Sequence, residues 1–328
     1  HFEARRQRQM CIRDSNIWDL KKLPRKLVIL GGGPIGSEMA QAFSRLGSEV
    51  TVVEMSSQIM SREDNDVVQF VKERFKKEGI KVLVNHKAIR FKLNKLICDH
   101  KGKEKSIEFD QVLLALGRCP NVNGFGLSEL GVKIRNNGTI QANQFLQTNI
   151  SNIFVCGDVT GPYQFTHAAA HQAWYATVNA LFSPFKKFKV DYSIIPWTTF
   201  LDPEIARVGL NEKEAKELNI PYETSVFGID HLDRAITDSE GSGFIKVLTK
   251  PDKDKILGVT IVSTHAGDLI AEYILAMKHS IGLNKILGAI HVYPTYSEAN
   301  KFVAGEWKRA HLPLFLIKVL EKFNNLRR

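Results

Sequence analysis

Hydrophobic residues in the first part of the chain alternate between short continuous runs and helical spacing. The run KLVIL predicts a buried strand, residues 34–46 predict a helix, and EVTVVE at 49–54 predicts a second strand. Apolar residues recur at helical spacing across 63–79, KVLV resumes a strand, and QVLLALG at 111–117 predicts another buried strand. This alternation predicts a parallel sheet with right-handed crossovers, and therefore an α/β fold. Residues 87–108 are predicted to form a small β excursion.

The rest of the sequence changes character twice. A piece at 145–190 contains IFVCGDV, whose GD we place at a strand end, and the helical HAAAHQAWYATVNALF. Residues 191–328 combine short strands (GFIKVLT, ILGVTIVS), an apolar helix (AGDLIAEYILAMKHS) and the stretch HVYPTYSEA. We therefore predict a Rossmann-like domain over 23–144, a second piece over 145–190 and an α+β domain over 191–328. Residues 16–22 are predicted to be a linker.

The N-terminal segment fits none of these patterns. The chain begins at His1, and RQRQMCIRDS resembles translated sequencing-adapter sequence. We therefore interpret residues 1–15 as non-native, exclude them from the fold, and expect the natural protein to begin upstream.

The composition is that of a globular protein. Of the 328 residues, 44% are hydrophobic and 24% are charged, and no apolar run approaches the roughly 20 residues that span a bilayer. The net charge of +10 comes without concentrated basic motifs, which favours a lysine-rich surface over nucleic-acid binding. The C-terminal HLPLFLIKVLEKFNNLRR is either an amphipathic helix at a membrane surface or, as we expect, a helix that packs on its own domain.

Cysteine usage indicates neither a disulfide framework nor a metal site. Cys11, Cys98, Cys119 and Cys156 stand in no C-x-x-C, C-x-x-x-x-C or zinc-like spacing. With no signal peptide in the sequence, a reducing cytoplasm is the expected compartment.

The segment VILGGGPIGSE carries the most specific chemical signal, because a strand leads into a glycine-rich turn and a helix follows. Gly31 permits the tight turn, Gly33 lets the backbone approach a pyrophosphate, and Gly36 lets helix and strand pack closely. Helix N-terminal amides and the helix dipole then face the phosphates. The predicted cofactor-binding stretch comprises Gly31, Gly32, Gly33, Pro34, Ile35, Gly36, Ser37 and Glu38.

Glu54 ends the second strand at the separation expected for the acid that accepts hydrogen bonds from the adenosine ribose. Its charge repels a 2′-phosphate, and the MSSQIM that follows offers no Lys or Arg to neutralise one. NAD(H) is therefore favoured over NADP(H), unless a residue from elsewhere, such as Arg62, reaches the site.

Six ordered motifs carry a family resemblance. GGGPIGSE, VTVVE, ALGRCPN, VCGDVTG, IPWTTFLDPEIARVGL and YPTYSEA occur in this order over about residues 23–310. The series resembles the C-terminal two-thirds of flavin-dependent pyridine nucleotide–disulfide oxidoreductases, such as dihydrolipoyl dehydrogenase, glutathione reductase and mercuric reductase. The resemblance implies FAD and NAD(H) as cofactors and a homodimer. It also implies that 23–144 binds NAD, that 145–190 is the C-terminal part of an FAD-binding domain, and that 191–328 is a dimerisation domain.

The resemblance assigns roles to particular residues. Asp158 would hold the ribityl chain of FAD, although an aspartate at such a position, taken alone, is most often a turn or helix-cap residue. Glu38 would lie near the nicotinamide carboxamide, and hydride would pass to the flavin across the interface of the two nucleotide sites. Arg118 either joins this site or is a structural ion-pair partner. Further implied contacts are Gln164, Phe165, Thr166 and His167 along the flavin, and Gly117 and Ala88 on the other side of the nicotinamide cofactor.

The closing motif, residues 291–299 (HVYPTYSEA), differs from the corresponding motif of the family's disulfide reductases. They usually have His-Pro-Thr with a glutamate that orients the histidine, whereas this sequence has Tyr293 at the base position and keeps Glu298. A phenol, with a pKa of about 10, is a poor base at neutral pH but donates a proton or a hydrogen bond. Tyr293 is therefore either catalytic or a packed interface aromatic, and whether His291 reaches inward stays open. The C-terminal FNNLRR also lacks the vicinal cysteines of true mercuric reductases.

We therefore predict an FAD-dependent oxidoreductase that passes hydride from NADH through flavin to a disulfide, metal ion or quinone. The family's first Rossmann unit, with its C-x-x-x-x-C pair, is expected upstream of Asn16, so this fragment alone should hold FAD poorly. Three alternatives stay open: a non-catalytic NAD(H)-binding and dimerising module, a soluble transhydrogenase-like enzyme, and a two-domain hydroxyacid dehydrogenase that uses His167 or His171.

Overall fold

The first part of the chain forms a five-stranded parallel sheet flanked by helices. The computed structural model describes residues 11–13 and 15–327. The elements of this part are β1 (Cys11–Arg13), β2 (Lys26–Leu30), α1 (Pro34–Arg45), β3 (Glu49–Val53), α2 (Asn65–Lys77), β4 (Lys81–Leu83), β5 (Lys87–Lys92), β6 (Lys95–His100), β7 (Lys103–Glu108) and β8 (Gln111–Leu114). The strand order is β1-β8-β2-β3-β4 with parallel pairing throughout, and β5-β6-β7 form a separate antiparallel sheet. The predicted parallel sheet and β excursion are confirmed.

Strand β2 lies at the centre of the parallel sheet and is covered on both faces. Leu27 and Ile29 belong to one buried apolar cluster, which also contains residues of α2. Val28 and Leu30 belong to a second cluster, together with Leu96 of β6. Burial on both faces explains why KLVIL is continuously apolar instead of alternating with polar residues.

Strand β1 corrects our expectation that residues 1–15 take no part in the fold. Ile12 pairs with Leu113 and is buried in the same cluster as Leu27. The physical reason is that β8 without it would be an edge strand, whose unpaired N–H and C=O groups accept a short neighbouring strand. Residues 1–10 and 14 lie outside the described residues, and the non-native origin of the segment stays a prediction. In the predicted linker, Ile17–Asp19 form a short 3-10 turn with Ile17 buried.

Residues 117–197 form a compact unit of their own, built around helix α3 (Thr166–Phe182). Asn179 on this helix is fully buried, and its side chain bonds the carbonyl groups of Phe145 and Phe188 at 3.0 and 2.8 Å and the Phe188 amide at 2.7 Å. IFVCGDV does not form the expected regular strand, since only an isolated bridge between Gln147 and Phe154 occurs there. Between residues 117 and 195, all of which are described, no other strand is available to extend that pairing.

The described residues of 11–116 and 198–327 form the other compact unit. The remaining elements are β9 (Pro196–Thr199), β10 (Glu204–Gly209), α4 (Glu212–Glu217), β11 (Glu223–Gly228), α5 (Asp233–Thr237), β12 (Phe244–Thr249), β13 (Ile256–Ser263), α6 (Ala266–Lys278), α7 (Leu283–Leu287), α8 (Glu298–Ala310) and α9 (Leu314–Leu326). A second sheet has the order β11-β12-β13-β10-β9, with antiparallel pairing from β11 through β10, and α6 packs against β10 and β13. The predicted α+β character of the C-terminal part is confirmed.

Buried ions join sequence-distant parts of this unit. Lys246 Nζ on β12 lies 2.8 Å from Asp64 Oδ2, 2.7 Å from Asp66 Oδ2 and 2.9 Å from Glu212 Oε1, and the lysine side chain is 1% exposed. Burial alone would lower the pKa of Lys246, but the hydrogen bonds that Lys246 donates to three carboxylates outweigh burial and raise it. The start of α2 is thereby tied to β12 and α4.

Helix α9 corrects a second expectation, namely that the C-terminal helix packs on its own domain. Its apolar side chains that the structure describes are all more than 40% exposed. They are Phe315, Ile317, Val319, Leu320, Phe323 and Leu326. The hydrophobic pattern of a sequence predicts that a helix has an apolar face, but it does not predict which surface covers that face. Among the described residues, no helix combines the length and apolarity needed to cross a membrane.

Candidate functional site

The glycine-rich loop between β2 and α1 has the geometry of a phosphate cradle. Gly31 has φ +103°, and a Cβ there or at Gly36 would overlap a backbone carbonyl, that of Ala115 and that of Gly31 respectively. A Cβ built at Gly33 would instead meet no described atom within 4 Å. Two glycines are thus required by close packing of strand and helix, while the third leaves open space at the start of α1. An anion at a helix N-terminus needs such space.

Glu54 is fixed against this loop as an anion. The Gly32 amide donates to Glu54 Oε2 at 2.8 Å, and the Ser56 amide donates to Oε1 at 2.7 Å. Burial opposes ionisation of this carboxyl, but the backbone hydrogen bonds outweigh burial and lower the pKa of Glu54. The predicted ribose-binding acid therefore lies beside the predicted pyrophosphate loop and is charged at neutral pH.

A cavity of about 610 Å³ begins at Ser56, whose amide donates to Glu54, and its lining includes two cations that the sequence did not reveal. Its lining residues are Ser56, Ser57, Gln58, Ser61, Glu63, Asp64, Asn65, Asp66, Glu212, Lys213 and Lys216. Lys213 Nζ donates to the Ser61 carbonyl at 2.8 Å, and Lys216 Nζ lies 3.8 Å from Glu212. The lysines follow Glu54 by more than 150 positions, so no local motif pointed to them. Arg62, which we considered as a phosphate ligand, does not line the cavity.

Glu38 and Gln41 attach helix α1 to the turn after β9. The Phe200 amide donates to Glu38 Oε1 at 2.8 Å, and burial raises the pKa of Glu38 despite this bond. Gln41 exchanges two hydrogen bonds with the Asp202 backbone, at 2.7 and 3.0 Å. The predicted nicotinamide contact is therefore positioned by a segment 162 residues away in sequence. Ser37, directly before Glu38, is fully buried.

Ala88 lies on the exposed strand β5, opposite Cys98. The link to the nucleotide loop is short, because the His86 amide donates to the Glu54 carbonyl at 3.0 Å. The structure thus brings Ala88 to the Glu54 side of the loop.

In the unit 117–197, Arg118 joins two of the predicted FAD contacts, Asp158 and Gln164. Its Nη1 donates to Asp158 Oδ2 at 2.9 Å and to the Gln164 carbonyl at 3.2 Å. Arg118 is therefore an ion-pair partner of Asp158, one of the two roles that we left open. The Asp158 carbonyl accepts from the Gly161 amide at 3.3 Å, so the residue also shapes a turn. Gly117 has φ +104°, and a Cβ added there would meet no described atom within 4 Å.

An aromatic stack begins α3. The rings of Phe165 and His167 lie 5.2 Å apart at 8°, and Phe165 also stacks on Trp197 at 6.3 Å. His167 Nε2 lies 2.9 Å from the Pro196 carbonyl. Thr166, between the stacked rings, is the first residue of the helix. Trp197 lies in the motif IPWTTFLDPEIARVGL, but we predicted no role for it, because it is 30 positions from His167 and no local pattern joins the two.

The closing motif separates its three predicted catalytic residues. Tyr293 is 66% exposed, and its Oη donates to Asp233 Oδ2 at 2.9 Å, which raises the pKa of the phenol. His291 reaches inward: its side chain is 8% exposed, and Nε2 lies 3.2 Å from both carboxylate oxygens of Glu272. Glu298 Oε2 accepts from the Thr295 amide at 3.1 Å. Glu298 thus shapes the turn before α8 instead of bonding to Tyr293 or His291.

One group of potential metal ligands lies outside these regions. Glu223, Asp252 and His311 each place a ligand atom within 4.8 Å of the others. His311 Nε2 is 2.9 Å from Glu223 Oε2, so an ion pair already accounts for two of the three. The sequence predicted no metal site, since these residues are separated by 29 and 59 positions.

Comparison with known proteins agrees with the motif series. The family described as "Pyridine nucleotide-disulphide oxidoreductase" matches residues 4–173, and its dimerisation domain matches 195–303. Dihydrolipoyl dehydrogenase of Buchnera aphidicola subsp. Acyrthosiphon pisum is 37% identical over 301 residues, which cover 87% of this chain and 62% of the relative. Mercuric reductase of Lysinibacillus sphaericus is 34% identical over 294 residues, which cover 88% and 54%.

A solved structure shows the same fold. The HOCl-induced flavoprotein disulfide reductase RclA from Escherichia coli matches with a TM-score of 0.83 at 25% identity, over 90% of this chain and 68% of that one. The chain spans 62% of the length of the Buchnera relative, so it corresponds to part of such a protein. The resemblance predicted from six motifs is confirmed: the chain belongs to the pyridine nucleotide-disulphide oxidoreductase family.

Proposed function

We propose that the chain is the NADH-binding and dimerising part of a flavin-dependent oxidoreductase that transfers electrons from NADH to a disulfide, a metal ion or a quinone. The observation that carries the proposal is the open cradle at Gly33 beside the ionised, amide-bonded Glu54. Members of the family use FAD and NAD(H), which agrees with both predicted nucleotide sites.

The residues of the first site fit NADH. The loop at Gly33 offers space and backbone amides for the pyrophosphate, and Glu54 keeps carboxylate lone pairs for ribose hydroxyls besides the two amide bonds that it accepts. Four carboxylates and two lysines line the neighbouring cavity, and the buried cations Lys246 and Arg207 pair with these carboxylates, so the charges around the cavity balance. The charge of Glu54 itself would repel a 2′-phosphate, which supports NADH over NADPH.

The residues of the unit 117–197 fit FAD in part. Asp158 has a carboxylate that is 42% exposed and bonded on one oxygen by Arg118, which leaves acceptor capacity for a sugar hydroxyl. Bound FAD would supply a two-electron carrier between NADH and the acceptor. We propose that Gln164, Phe165, Thr166 and His167 border it, and that an upstream half of the protein provides the remaining contacts.

Tyr293 is proposed as a donor of a proton or a hydrogen bond. Because its hydrogen bond to the Asp233 carboxylate raises the pKa of the phenol, the side chain is protonated at neutral pH. Tyr293 therefore does not act as a base that deprotonates a thiol. That observation favours, as a second candidate, hydride transfer to another nucleotide, for which no thiol has to lose a proton.

The match of residues 195–303 to a dimerisation domain supports a homodimer as the working form. A reducing cytoplasm stays our proposed compartment. Calorimetric titration with NADH and NADPH, combined with a flavin-content assay, tests the proposal. We expect NADH to bind in preference to NADPH, and flavin to be retained once an N-terminal FAD-binding half of a relative is supplied. NADH binding without flavin uptake in that mixture would favour a non-catalytic binding module instead.

A further inference from the structure

We propose that helix α9 docks the protein on an anionic lipid bilayer, lying along the headgroup region without crossing the membrane. The helix begins after Pro313, ten residues beyond the part of the chain that matches the dimerisation domain of the family. The helix therefore lies outside the matched residues, and its exposed apolar side chains do not form part of a described core.

The apolar face of α9 is exposed. Phe315, Val319, Phe323 and Leu326 recur at helical spacing on one side, and their exposed fractions are 77%, 46%, 53% and 86%. Leu320 widens this face and is 58% exposed. Such a surface is costly in water, and large exposed apolar patches mark sites where a partner or a membrane is bound.

The charges of the helix favour an anionic partner. Residues 313–328 contain Lys318, Lys322, Arg327 and Arg328 against Glu321, so the segment has a net charge of 4 − 1 = +3. Lys318 and Lys322 lie along one margin of the apolar face, beside Phe315, and Glu321 lies opposite to the face by helical spacing. Cations beside an apolar face with two phenylalanines are typical of helices that lie in the interface of anionic bilayers.

A second copy of the helix fits this surface less well. Pairing two such helices would bring their cations together, and a 13-residue helix offers a short seam for self-association. The apolar face is also wider than the two positions per heptad that a paired helix needs, because Phe315 and Leu320 lie at its two margins. A bilayer accepts a broad apolar face, whereas a single partner helix does not.

The attachment of α9 to the folded domain is firm. His311, between α8 and α9, stacks on Trp307 at 4.2 Å, and its Nδ1 lies 2.8 Å from the Trp307 carbonyl. Its Nε2 lies 2.9 Å from Glu223 Oε2 on β11. Because the connecting residue is held at three points, docking of the helix would hold the whole domain at the membrane surface.

Co-sedimentation of the full chain with vesicles tests the proposal. We expect binding to vesicles of equal parts phosphatidylcholine and phosphatidylserine at low salt, and little binding to phosphatidylcholine alone or at high salt. Lys318→Gln with Lys322→Gln should weaken binding about thirtyfold, from about fivefold for each cation near the surface. Phe315→Glu with Phe323→Glu should abolish binding.

Val226→Glu is the matched control, because Val226 is an apolar residue on β11 that is 50% exposed, close to the 53% of Phe323. All variants should keep their circular dichroism and their NADH affinity, since the changed side chains lie on the surface. Equal binding by the Phe315→Glu, Phe323→Glu variant, equal binding to neutral vesicles, or no binding at all would overturn the proposal. An α9-dependent dimer seen by sedimentation equilibrium, without vesicle binding, would overturn it in favour of a second copy.

Discussion

The phenol of Tyr293 donates a hydrogen bond to Asp233 at 2.9 Å, whereas His291, two positions earlier, turns its imidazole to Glu272. Within one short motif, the phenol of Tyr293 therefore lies at the exposed surface, whereas the imidazole of His291 is buried in the domain. The contact with Asp233 spans 60 positions and joins the closing motif to α5.

Replacement of Tyr293 tests its proposed role as a donor. We expect Tyr293→Phe, in the protein completed with its FAD-binding half, to lower turnover about a hundredfold, the lower end for a positioned proton donor. Tyr296→Phe is the control, because the Tyr296 phenol bonds Asp238 and lies outside the proposed site. Steady-state rates with each acceptor give the comparison. Full turnover of Tyr293→Phe would leave Tyr293 as an interface aromatic only.

Two glycine substitutions distinguish the glycine required for packing from the glycine required for NADH binding. Gly36→Ala places a Cβ against the Gly31 carbonyl, and we expect it to lower the free energy of unfolding by about 1–3 kcal/mol. Gly33→Ala places its Cβ in open space at φ −75°, so stability should change by less than about 1 kcal/mol. NADH affinity of that variant should nevertheless fall about tenfold, because the methyl group fills the pyrophosphate position. Urea unfolding and calorimetry measure both, and unchanged NADH affinity of Gly33→Ala would contradict the cradle.

Glu54→Gln should reduce the discrimination between NADH and NADPH. The substitution removes the charge that repels a 2′-phosphate, so we expect the ratio of the two dissociation constants to shrink about tenfold. Asp19→Asn, a charge change on the N-terminal 3-10 turn, is the control. An unchanged ratio would mean that another residue, such as one of the cavity acids, sets the specificity.

Lys246→Met should destabilise the protein strongly and in a pH-dependent way. Removing the buried cation leaves the Asp64 and Glu212 carboxylates without their partner, and we expect a loss of about 3–5 kcal/mol at pH 7. Burial raises the pKa of Asp64, but the bonds from Lys246 and two amides lower it overall. A depressed folded pKa contributes stability above the unfolded pKa of about 3.9, and this stability disappears as pH falls through the folded pKa.

The difference between the wild-type protein and Lys246→Met should therefore be largest near pH 7 and should shrink toward pH 3. Thermal unfolding across this range measures the difference. Lys255→Met, on the surface before β13, is the control and should change little at any pH. A difference independent of pH would show that packing of the lysine stem, not its charge, stabilises the site.

Local sequence predicted the parts of the fold and site that local physics determines. The loop at Gly31, Gly33 and Gly36 was predictable because strand, turn and helix are contiguous, and KLVIL because both faces of β2 are buried. Contacts over long separations were not predictable, such as Glu38 with Phe200, since they depend on how distant elements pack. The role of β1 was missed because three residues carry no periodicity, and only a neighbouring strand makes them a strand.

The most direct test of the central claim is a spectroscopic one. The chain is combined with an N-terminal FAD-binding half, freed of unbound flavin, and titrated anaerobically with NADH while flavin absorbance is followed. Our account predicts that one equivalent of NADH bleaches the bound flavin, that NADPH does so far less efficiently, and that Gly33→Ala slows the bleaching. Bound flavin that NADH leaves unchanged would contradict the proposal that this chain delivers electrons from NADH.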